Sequence, residues 1–461
     1  MRVCVIGGGI SGLSAGFRLM QSGCEVMVLE ADGRAGGKIR SETSDGFLVE
    51  HGPNGFLDSR KPVLDLVRDV RLENQLMRAN VEASKRYIFT RGALRALPRG
   101  PLSLLGTRVL TAAGLLRLLC EPFVKPRTNW DTDETVFDFA ARRIGHEAAT
   151  VLVDSMVTGI YAGDSRKLSL QAAFPRMYEL ERTYGGLVKA LFALMKAKRA
   201  NAGSAAGPAG VLTSFPEGLE TLIHGLVRRL EGRVRTNAAV EAIRPIKGGG
   251  WEVFVRPAGP DEPRDTLVCD AVVLAVPAGA MSWLLAPHAP RAAEVLQQIQ
   301  YNPAAVVAFG YPPGSLPRPL DGFGYLVPAA SERKILGTLW DSTLFANRAS
   351  KGRALLRSIV GGARHPELLD MSDDEIGGAI GGELSIIMGG QMPEPLFRRV
   401  IRWREAIPQY TVGHLGRVAA IEAATASLPG LHMASNALYG VSLADCIARA
   451  DKLPAIVRGD G

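Results

Sequence analysis

The chain has 461 residues, of which 47% are hydrophobic and 22% are charged, and its formal net charge is +8. This length predicts several domains, and the near-average composition excludes a disordered, collagen-like or disulfide-scaffold protein. The 5 cysteines lie far apart without a Cys-x-x-Cys pair, and the 7 histidines show no metal-ligand spacing. We therefore expect a cytoplasmic protein with reduced thiols and no metal site. We also expect no signal or transit peptide, because the N-terminus runs directly into an apolar strand without a charged region. We expect no membrane-spanning helix, because prolines interrupt the longest uncharged runs.

The first thirty residues predict a strand, a glycine-rich turn, a helix and a second strand. The apolar run from Arg2 to Ile6 leads into Gly7-x-Gly9-x-x-Gly12, helical spacing runs from Ile10 to Gln21, and Glu25 to Leu29 is the second strand. Glycines at this spacing permit a tight turn and close approach of the backbone to a pyrophosphate. Glu30 follows the second strand, where a carboxylate can accept both ribose hydroxyls and repels a 2′-phosphate. The pattern predicts a site for NAD or FAD, and its alternative is an ordinary glycine-rich turn.

Further glycine clusters fit a cofactor that lies stretched along the domain. Arg34-Ala35-Gly36-Gly37-Lys38 combines a glycine pair with cationic flanks, and Gly52-Pro53-Asn54-Gly55 offers another tight turn. Near the end of the chain, Gly440-Val441-Ser442-Leu443 precedes a predicted helix around Val441 to Ala450. The N-terminal amides of that helix could stabilise an anionic reduced flavin ring, and the alternative is an ordinary capped helix.

Strand-like runs recur far downstream. Ala271 to Val276 and Leu431 to Ala434 are short and apolar, as buried strands are. They predict one discontinuous domain that is completed from the middle and the end of the chain. Asn201 to Gly210 reads as a flexible connector, and Gly248 to Gly250 predicts a hairpin turn.

The positive charge is concentrated in one segment. Arg86 to Arg127 holds 8 basic residues against a single acid, Glu121. Its apolar residues recur at helical spacing, which predicts one helix face: Leu105, Val109, Ala112, Leu116, Leu119 and Phe123. A basic amphipathic segment favours a membrane surface. The alternatives are a core helix with a solvated basic face, a site for an acidic small molecule, and a nucleic-acid patch, which the scarcity of aromatic residues disfavours.

Several stretches resemble the flavin-dependent protoporphyrinogen oxidases, within the wider amine-oxidase and phytoene-desaturase superfamily. The resemblance covers nearly the whole chain, and the later stretches are the more specific ones. These stretches are Gly7 to Gly12, Glu30 to Lys38, Glu50 to Asn54, Thr158 to Asp164, Gly322 to Pro328, Val360 to Arg364, Ile407 to Tyr410, and Tyr439 to Ile447.

The resemblance implies an α/β fold with three domains. A discontinuous Rossmann-like FAD-binding domain would comprise residues 1–77, 213–284 and 409–461. A helical membrane-binding domain would comprise residues 83–189, which coincides with the basic segment. An α+β substrate-binding domain would comprise residues 78–82, 190–212 and 285–408.

The resemblance also implies the site residues. Arg86 would hold a substrate propionate, and Leu326 and Leu339 would sandwich the tetrapyrrole. The other implied substrate-binding residues are Gly159, Gly163 and Ile359, the last standing where relatives often have Phe or Met. The implied cofactor-binding residues are Gly7, Gly8, Gly9, Ile10, Ser11, Gly12, Glu30, Ala31, Arg34, Gly37, Lys38, Gly52, Pro53, Asn54, Gly55, Val240, Val441, Ser442 and Leu443.

The reaction that the resemblance implies is aromatisation of protoporphyrinogen IX in three two-electron steps, with hydride passing to FAD, oxygen as final acceptor and hydrogen peroxide as by-product. Coproporphyrinogen III is the alternative substrate. Another amine oxidase or desaturase, or a non-catalytic nucleotide sensor at the membrane, are the alternative functions. No catalytic base is identifiable. We expect a peripheral membrane surface as partner, a homodimer or ferrochelatase contact as further options, and no nucleic acid.

Overall fold

The computed structural model describes residues 1–98, 106, 108–200, 210–256, 265–350 and 352–459, and within them the chain has a mixed α/β fold. In chain order the strands are β1 (Arg2–Ile6), β2 (Glu25–Leu29), β3 (Ser41–Ser44), β4 (Phe47–Glu50), β5 (Phe56–Leu57), β6 (Met77–Arg78), β7 (Arg86–Thr90), β8 (Ala93–Ala96), β9 (Leu212–Ser214), β10 (Val234–Arg235), β11 (Val240–Pro245), β12 (Trp251–Val255), β13 (Asp265–Cys269), β14 (Ala271–Leu274), β15 (Tyr301–Tyr311), β16 (Gly324–Leu326), β17 (Ile335–Trp340), β18 (Ala354–Gly361), β19 (Phe397–Pro408) and β20 (Leu431–Met433). The helices are α1 (Ile10–Gln21), α2 (Lys61–Asp69), α3 (Ala112–Leu119), α4 (Val136–Ile144), α5 (His146–Ala148), α6 (Asp154–Tyr161), α7 (Leu170–Ala173), α8 (Pro175–Tyr184), α9 (Leu187–Ala200), α10 (Glu220–Leu230), α11 (Ala278–Leu285), α12 (Pro290–Gln297), α13 (Asp341–Leu344), α14 (Asp373–Met388), α15 (His414–Thr425) and α16 (Leu443–Arg458).

A five-stranded parallel sheet, in the order β10-β2-β1-β14-β20, draws its strands from the start, middle and end of the chain. The predicted bounds of β1, α1 and β2 are confirmed. β14 and β20 end at Leu274 and Met433, slightly earlier than predicted, and α16 runs on to Arg458. The strands are apolar along their length because helices cover both faces of the sheet.

A second sheet has seven strands in the order β19-β15-β18-β17-β16-β7-β8. Its strands pair antiparallel except β7 and β16, which run parallel. Buried residues of α14 cluster with Tyr87 and Phe89 on one face of this sheet. The predicted hairpin at Gly248 to Gly250 is confirmed, since it joins β11 to β12.

Helices α3 to α9 follow one another in a largely helical stretch, which we call the helical unit (residues 108–200). The predicted helix face from Leu105 to Phe123 was wrong in its extent: Leu105 lies outside the described residues, and α3 covers only Ala112–Leu119. α3 is short because Thr111 caps its start by accepting from the Gly114 amide, and its last turn gives way to a 3₁₀ turn containing Pro122. Val109 is buried, but Leu116 and Phe123 are 65% and 85% exposed.

Charged side chains fill the centre of the helical unit. Glu121 and Arg143 are fully buried, and the Arg143 Nε donates to the Glu121 carboxylate at 2.8 Å. Glu121 also accepts from the backbone amides of Leu187 and Val188, which open α9. The buried Glu181 accepts from Arg142 at 2.7 Å. The network holds the 3₁₀ turn, α4, α8 and α9 together.

Two further expectations concern a membrane-spanning helix and a flexible connector. Within the described residues no helix combines the length and the apolar character needed to cross a bilayer. The predicted connector at Asn201 to Gly210 lies, apart from its last residue, outside the described residues.

Candidate active site

The turn between β1 and α1 leaves no room for side chains at two of its glycines. Gly7 has φ of 107°, and a Cβ there would lie 2.7 Å from the Ala275 carbonyl oxygen. A Cβ on Gly12 would lie 1.8 Å from the Gly7 carbonyl oxygen. A Cβ on Gly9 would meet nothing within 4 Å, so this glycine borders open space at the start of α1. Ile10 and Ser11 form the first turn of α1 beside it.

Glu30 is held at the carboxyl end of β2. Its carboxylate accepts from the Gly8 amide at 2.6 Å and from the Asp32 amide at 2.9 Å. Ala31 follows on the surface, and the Glu30 carbonyl accepts from the amide of Ala238, two residues before Val240. The predicted nucleotide residues Gly8, Glu30 and Val240 therefore lie on neighbouring segments.

Arg34 and Lys38 differ in how their charges are satisfied. The Arg34 guanidinium forms an ion pair with Glu220. Within the described part of the chain, the Lys38 ammonium forms neither a hydrogen bond nor an ion pair, and it lies 5.8 Å from the centre of the Tyr301 ring. Burial lowers the pKa of Lys38. Gly37, next to it, borders Gly9 across the turn. An ammonium in this position suits a phosphate group.

The loop Gly52 to Gly55 is tied to the seven-stranded sheet by contacts that the sequence did not reveal. Arg357 on β18 donates to the Gly52 carbonyl at 2.7 Å and to the Asp341 carboxylate at 2.8 Å. Asn54 donates to the other oxygen of Asp341 at 3.1 Å. Cβ atoms on Gly52 or Gly55 would clash with backbone oxygens, and Pro53 lies at the surface between them.

A second buried ion pair lies next to the start of the same loop. Arg348 lies 3.3 Å from the Glu50 carboxylate, and both side chains are fully buried. Burial raises the pKa of Glu50, and the charge of Arg348 counteracts that shift. Neither Arg348 nor Arg357 lies in a recognisable sequence motif, so only their pairing with distant residues could have identified them.

The C-terminal loop approaches the same region before α16. Gly440 has φ of 115°, and its amide donates to the Tyr410 hydroxyl at 2.7 Å. Ser442 caps α16 by accepting from the Asp445 amide at 3.1 Å. Val441 and Leu443 pack against the hydrophobic clusters on either side. A role for these amides toward a flavin stays a prediction.

The predicted substrate residues share one face of the seven-stranded sheet. Gly324 pairs with both Arg86 and Leu339, so these two residues point the same way. Leu326 pairs with Gly337, and Gly337 pairs with Ile359, which brings these residues onto that face as well. Leu326, Leu339 and Ile359 are half-buried although most of their neighbours on β16, β17 and β18 are buried. These three apolar side chains are therefore only partly covered by their neighbours.

The two predicted glycines of the helical unit lie in different places. A Cβ on Gly159 of α6 would come within 2.9 Å of the Leu326 side chain, so α6 covers the sheet there. Gly163 instead packs against Gln409, whose side-chain oxygen would lie 2.5 Å from an added Cβ. Arg86 is exposed, with its guanidinium 5.0 Å from the centre of the Phe323 ring.

An ion pair that the sequence did not reveal joins α6 to the sheet. Asp154 accepts from Arg364 at 3.0 Å and from the amide of Ala329, in the segment after β16, at 2.9 Å. Arg364 also donates to the Val327 carbonyl at 2.7 Å. This pair sets the position of α6 over Leu326.

A family profile, that of the flavin containing amine oxidoreductases, matches residues 10–451. The chain belongs to this family. It is therefore a flavoprotein oxidoreductase that uses FAD.

Relatives within this family are similar over most of their length. The protoporphyrinogen oxidase of Nicotiana tabacum chloroplasts is 30% identical over 99% of this chain and 85% of its own. The coproporphyrinogen III oxidase of Bacillus subtilis is 30% identical over 96% of this chain and 95% of its own. A solved structure from Exiguobacterium sp. 255-15, named provisionally as a protoporphyrinogen oxidase, superposes with a TM-score of 0.84 at 25% identity, covering 100% of this chain and 99% of that one.

Proposed function

We propose that this flavoprotein oxidises a porphyrinogen to a porphyrin, with protoporphyrinogen IX as substrate. The observation that carries the proposal is the sheet face on which Leu326, Leu339 and Ile359 are half-buried, with Arg86 at its side. A flat macrocycle with carboxylate arms needs such an apolar face and a cation at its margin. The relatives named as porphyrinogen oxidases support the assignment.

The residues of the β1-α1 turn fit an FAD. Gly9 leaves open space at the start of α1, where backbone amides and the helix dipole favour a pyrophosphate. Glu30 would accept the ribose hydroxyls, and Lys38 would neutralise a phosphate charge. The loops at Gly52 to Gly55 and Val441 to Leu443 would line the flavin. When bound, FAD supplies the hydride acceptor, and oxygen is the proposed final oxidant.

The chain's own groups then bind and orient the substrate. Leu326, Leu339 and Ile359 would exclude water from one face of the macrocycle, and α6 limits the space at Gly159. Arg86 would hold a propionate by a bidentate hydrogen bond. We assign no side chain as catalytic base, so the protons released would leave through solvent or backbone groups.

The domain organisation belongs to the same proposal. The five-stranded sheet, built from three stretches of chain, would be a discontinuous Rossmann-like FAD-binding domain of residues 1–77, 213–284 and 409–461. Residues 78–82, 190–212 and 285–408 would form the substrate-binding domain. Residues 83–189 would bind a membrane peripherally.

Exposed apolar side chains support that membrane attachment. Leu116, Leu119 and Phe123 are exposed, and so are Leu191 and Phe192 of α9, just beyond the proposed boundary at residue 189. Apolar groups of this size on two neighbouring elements form a surface suited to lipid.

Anaerobic mixing of the purified holoenzyme with a porphyrinogen tests the activity. Protoporphyrinogen IX should bleach the flavin absorbance, and oxygen should restore it with formation of peroxide. Primary amines and a carotenoid precursor serve as controls, since they are substrate classes of alternative functions in the wider superfamily. Bleaching by an amine but not by the porphyrinogen would refute the proposal.

Coproporphyrinogen III is a second candidate substrate, favoured by the Bacillus subtilis relative that matches 96% of this chain. The same bleaching experiment with each porphyrinogen at equal concentration ranks the two by their rates of flavin reduction. A faster reduction by coproporphyrinogen III would replace the first choice.

Substitution of Arg86 tests the orientation of the substrate. Arg86→Ala should raise KM about tenfold with little change in kcat, because a carboxylate anchor acts equally in ground and transition states. Lys85→Ala is the matched control, since Lys85 binds Asp321 at 2.8 Å instead. Equal KM values in the two variants would return Arg86 to the general basic surface.

A further inference from the structure

A cavity of about 410 Å³ lies between the β7-β8 hairpin and α3, and no part of the proposed reaction uses it. Three arginines line it: Arg91, Arg95 and Arg108. Apolar side chains, among them Leu115 and Leu152, form the rest of its wall. The cavity thus combines positive charge with an apolar lining.

The charges in this cavity are only partly neutralised. Glu147 pairs with Arg91 at 2.7 Å and also accepts from the Thr111 amide. Among the described residues, Arg95 and Arg108 form no ion pair, and the buried Arg95 Nε has no hydrogen-bond partner. Arg108 has a left-handed backbone with φ of 50°, which is uncommon for a non-glycine residue. Two guanidinium groups therefore remain available to an anion.

The cavity continues into the exposed apolar surface of α3. Ala112 and Leu115 line the cavity, and Leu116 and Leu119 follow each of them by four residues on the same side of the helix. Leu116 and Leu119 are 65% and 56% exposed. From the cavity outward, the surface therefore changes from cationic to apolar within two helical turns.

We propose that this cavity binds the phosphate headgroup of an acidic phospholipid, whose acyl chains lie along Leu116 and Leu119. The order of charge and apolar surface matches the polarity of such a lipid, and guanidinium groups bind phosphate oxygens in pairs. This inference rests on the proposed membrane attachment of the helical unit. It adds to that attachment one binding site per chain with a preference for the lipid headgroup, whereas a basic surface alone would attract anionic lipids without such a site.

Binding of a short-chain lipid below its critical micelle concentration tests the site without a membrane. Dihexanoyl phosphatidylglycerol should bind the FAD-loaded full chain at one molecule per chain in titration calorimetry. Dihexanoyl phosphatidylcholine and inorganic phosphate should bind at least tenfold more weakly. Equal binding of phosphate would indicate a simple anion site, equal binding of the phosphatidylcholine an apolar surface only, and either result would overturn the proposal.

Variants separate the cavity from general electrostatics. Arg95→Gln and Arg108→Gln should each weaken phosphatidylglycerol binding about tenfold, and Arg95→Lys should restore it only in part because an ammonium lacks the planar fork. Lys125→Gln, an exposed cation of the same segment outside the cavity, should bind like the parent chain. If all three glutamine variants lose binding equally, or none does, the cavity is not the site.

Retention of FAD shows that each variant is folded. Arg108 lies at the surface, so its substitution keeps the test decisive even if Arg95→Gln misfolds. Flavin bleaching by porphyrinogen in detergent should be unchanged in both arginine variants. Absence of lipid binding in a parent chain whose flavin is bleached by porphyrinogen would refute this inference alone, whereas lipid binding without bleaching would refute the proposed reaction alone.

Discussion

The helical unit buries an ion pair beside its apolar clusters, whereas the five-stranded sheet has an apolar interior. The sheet's interior is apolar, with Val5, Val28 and Val273 fully buried. The centre of the helical unit instead buries the ion pair of Glu121 and Arg143, while apolar side chains lie on its outside. The helical unit thus differs from the sheet by burying an ion pair and by exposing large apolar side chains, which the proposed membrane surface would cover.

The largest expected effect comes from breaking the charged centre. Glu121→Ala leaves the fully buried Arg143 without its main partner, which should cost about 3–5 kcal/mol of unfolding free energy. Glu121→Gln should cost less, because it keeps an acceptor for the amides of Leu187 and Val188. Urea unfolding followed by circular dichroism, with limited proteolysis of α9, provides the measurement. Equal losses in both variants would show that the retained acceptor contributes nothing, and a near-parental stability of Glu121→Gln would show that the charge itself contributes little.

The pH dependence of the unfolding free energy tests the effect of burying a titratable ring, that of His414. His414 is buried and stacked on Tyr410 with ring centres 3.9 Å apart, and burial lowers its pKa to about 4 from 6.5. Below pH 6.5 the unfolded chain binds a proton that the folded chain refuses until about pH 4. Stability should therefore fall over this window as pH falls, by about 3 kcal/mol in total.

His414→Phe keeps an aromatic ring against Tyr410 and removes the titration. Its unfolding free energy, measured by urea at several pH values, should show a shallower decline between pH 6.5 and pH 4 than that of the parent chain. Parallel pH profiles for the two proteins would exclude His414 as the cause.

Cofactor affinity tests the nucleotide end of the five-stranded sheet. Glu30→Ala removes the acceptor at the carboxyl end of β2, and at about 1.5–3 kcal/mol for a charge-assisted hydrogen bond it should weaken FAD binding at least tenfold. Glu25→Ala changes an exposed glutamate on the same strand and should bind FAD normally. Fluorescence titration of the apoprotein measures both, and unchanged affinity in Glu30→Ala would remove Glu30 from the site.

The smallest effect concerns the apolar exterior of the helical unit. Phe123→Ser should lower partition into anionic vesicles about tenfold, since burial of a phenylalanine contributes about 1.5 kcal/mol or more. Trp283→Ser removes a side chain that is 74% exposed but lies on α11, near the five-stranded sheet, and should not change partition. Vesicle flotation at low and high salt distinguishes the apolar from the charged contribution. If the two variants float equally, the helical unit and the five-stranded sheet do not differ in their contact with the vesicles.

The parts of the site that could be predicted are those that local geometry determines. The turn from Gly7 to Gly12 needs residues without side chains, and the sequence shows that need directly. By contrast, the helix face predicted through Phe123 failed because Thr111 and Pro122 limit α3, and those limits depend on contacts with Glu147 and on the turn at Glu121. Periodicity alone carries no information on such end points.

The sequence by itself determined the β1-α1-β2 unit, its glycine turn and the place of Glu30, because each follows from the sterics and periodicity of consecutive residues. The tertiary structure decided what lies around them. Arg357 with Asp341, Arg348 with Glu50, and Arg364 with Asp154 pair over 16, 298 and 210 positions of chain. A buried charge is stable only where an oppositely charged partner lies next to it. The packing of sheets and helices brings these partners together, so the order of residues along the chain does not show which charges pair.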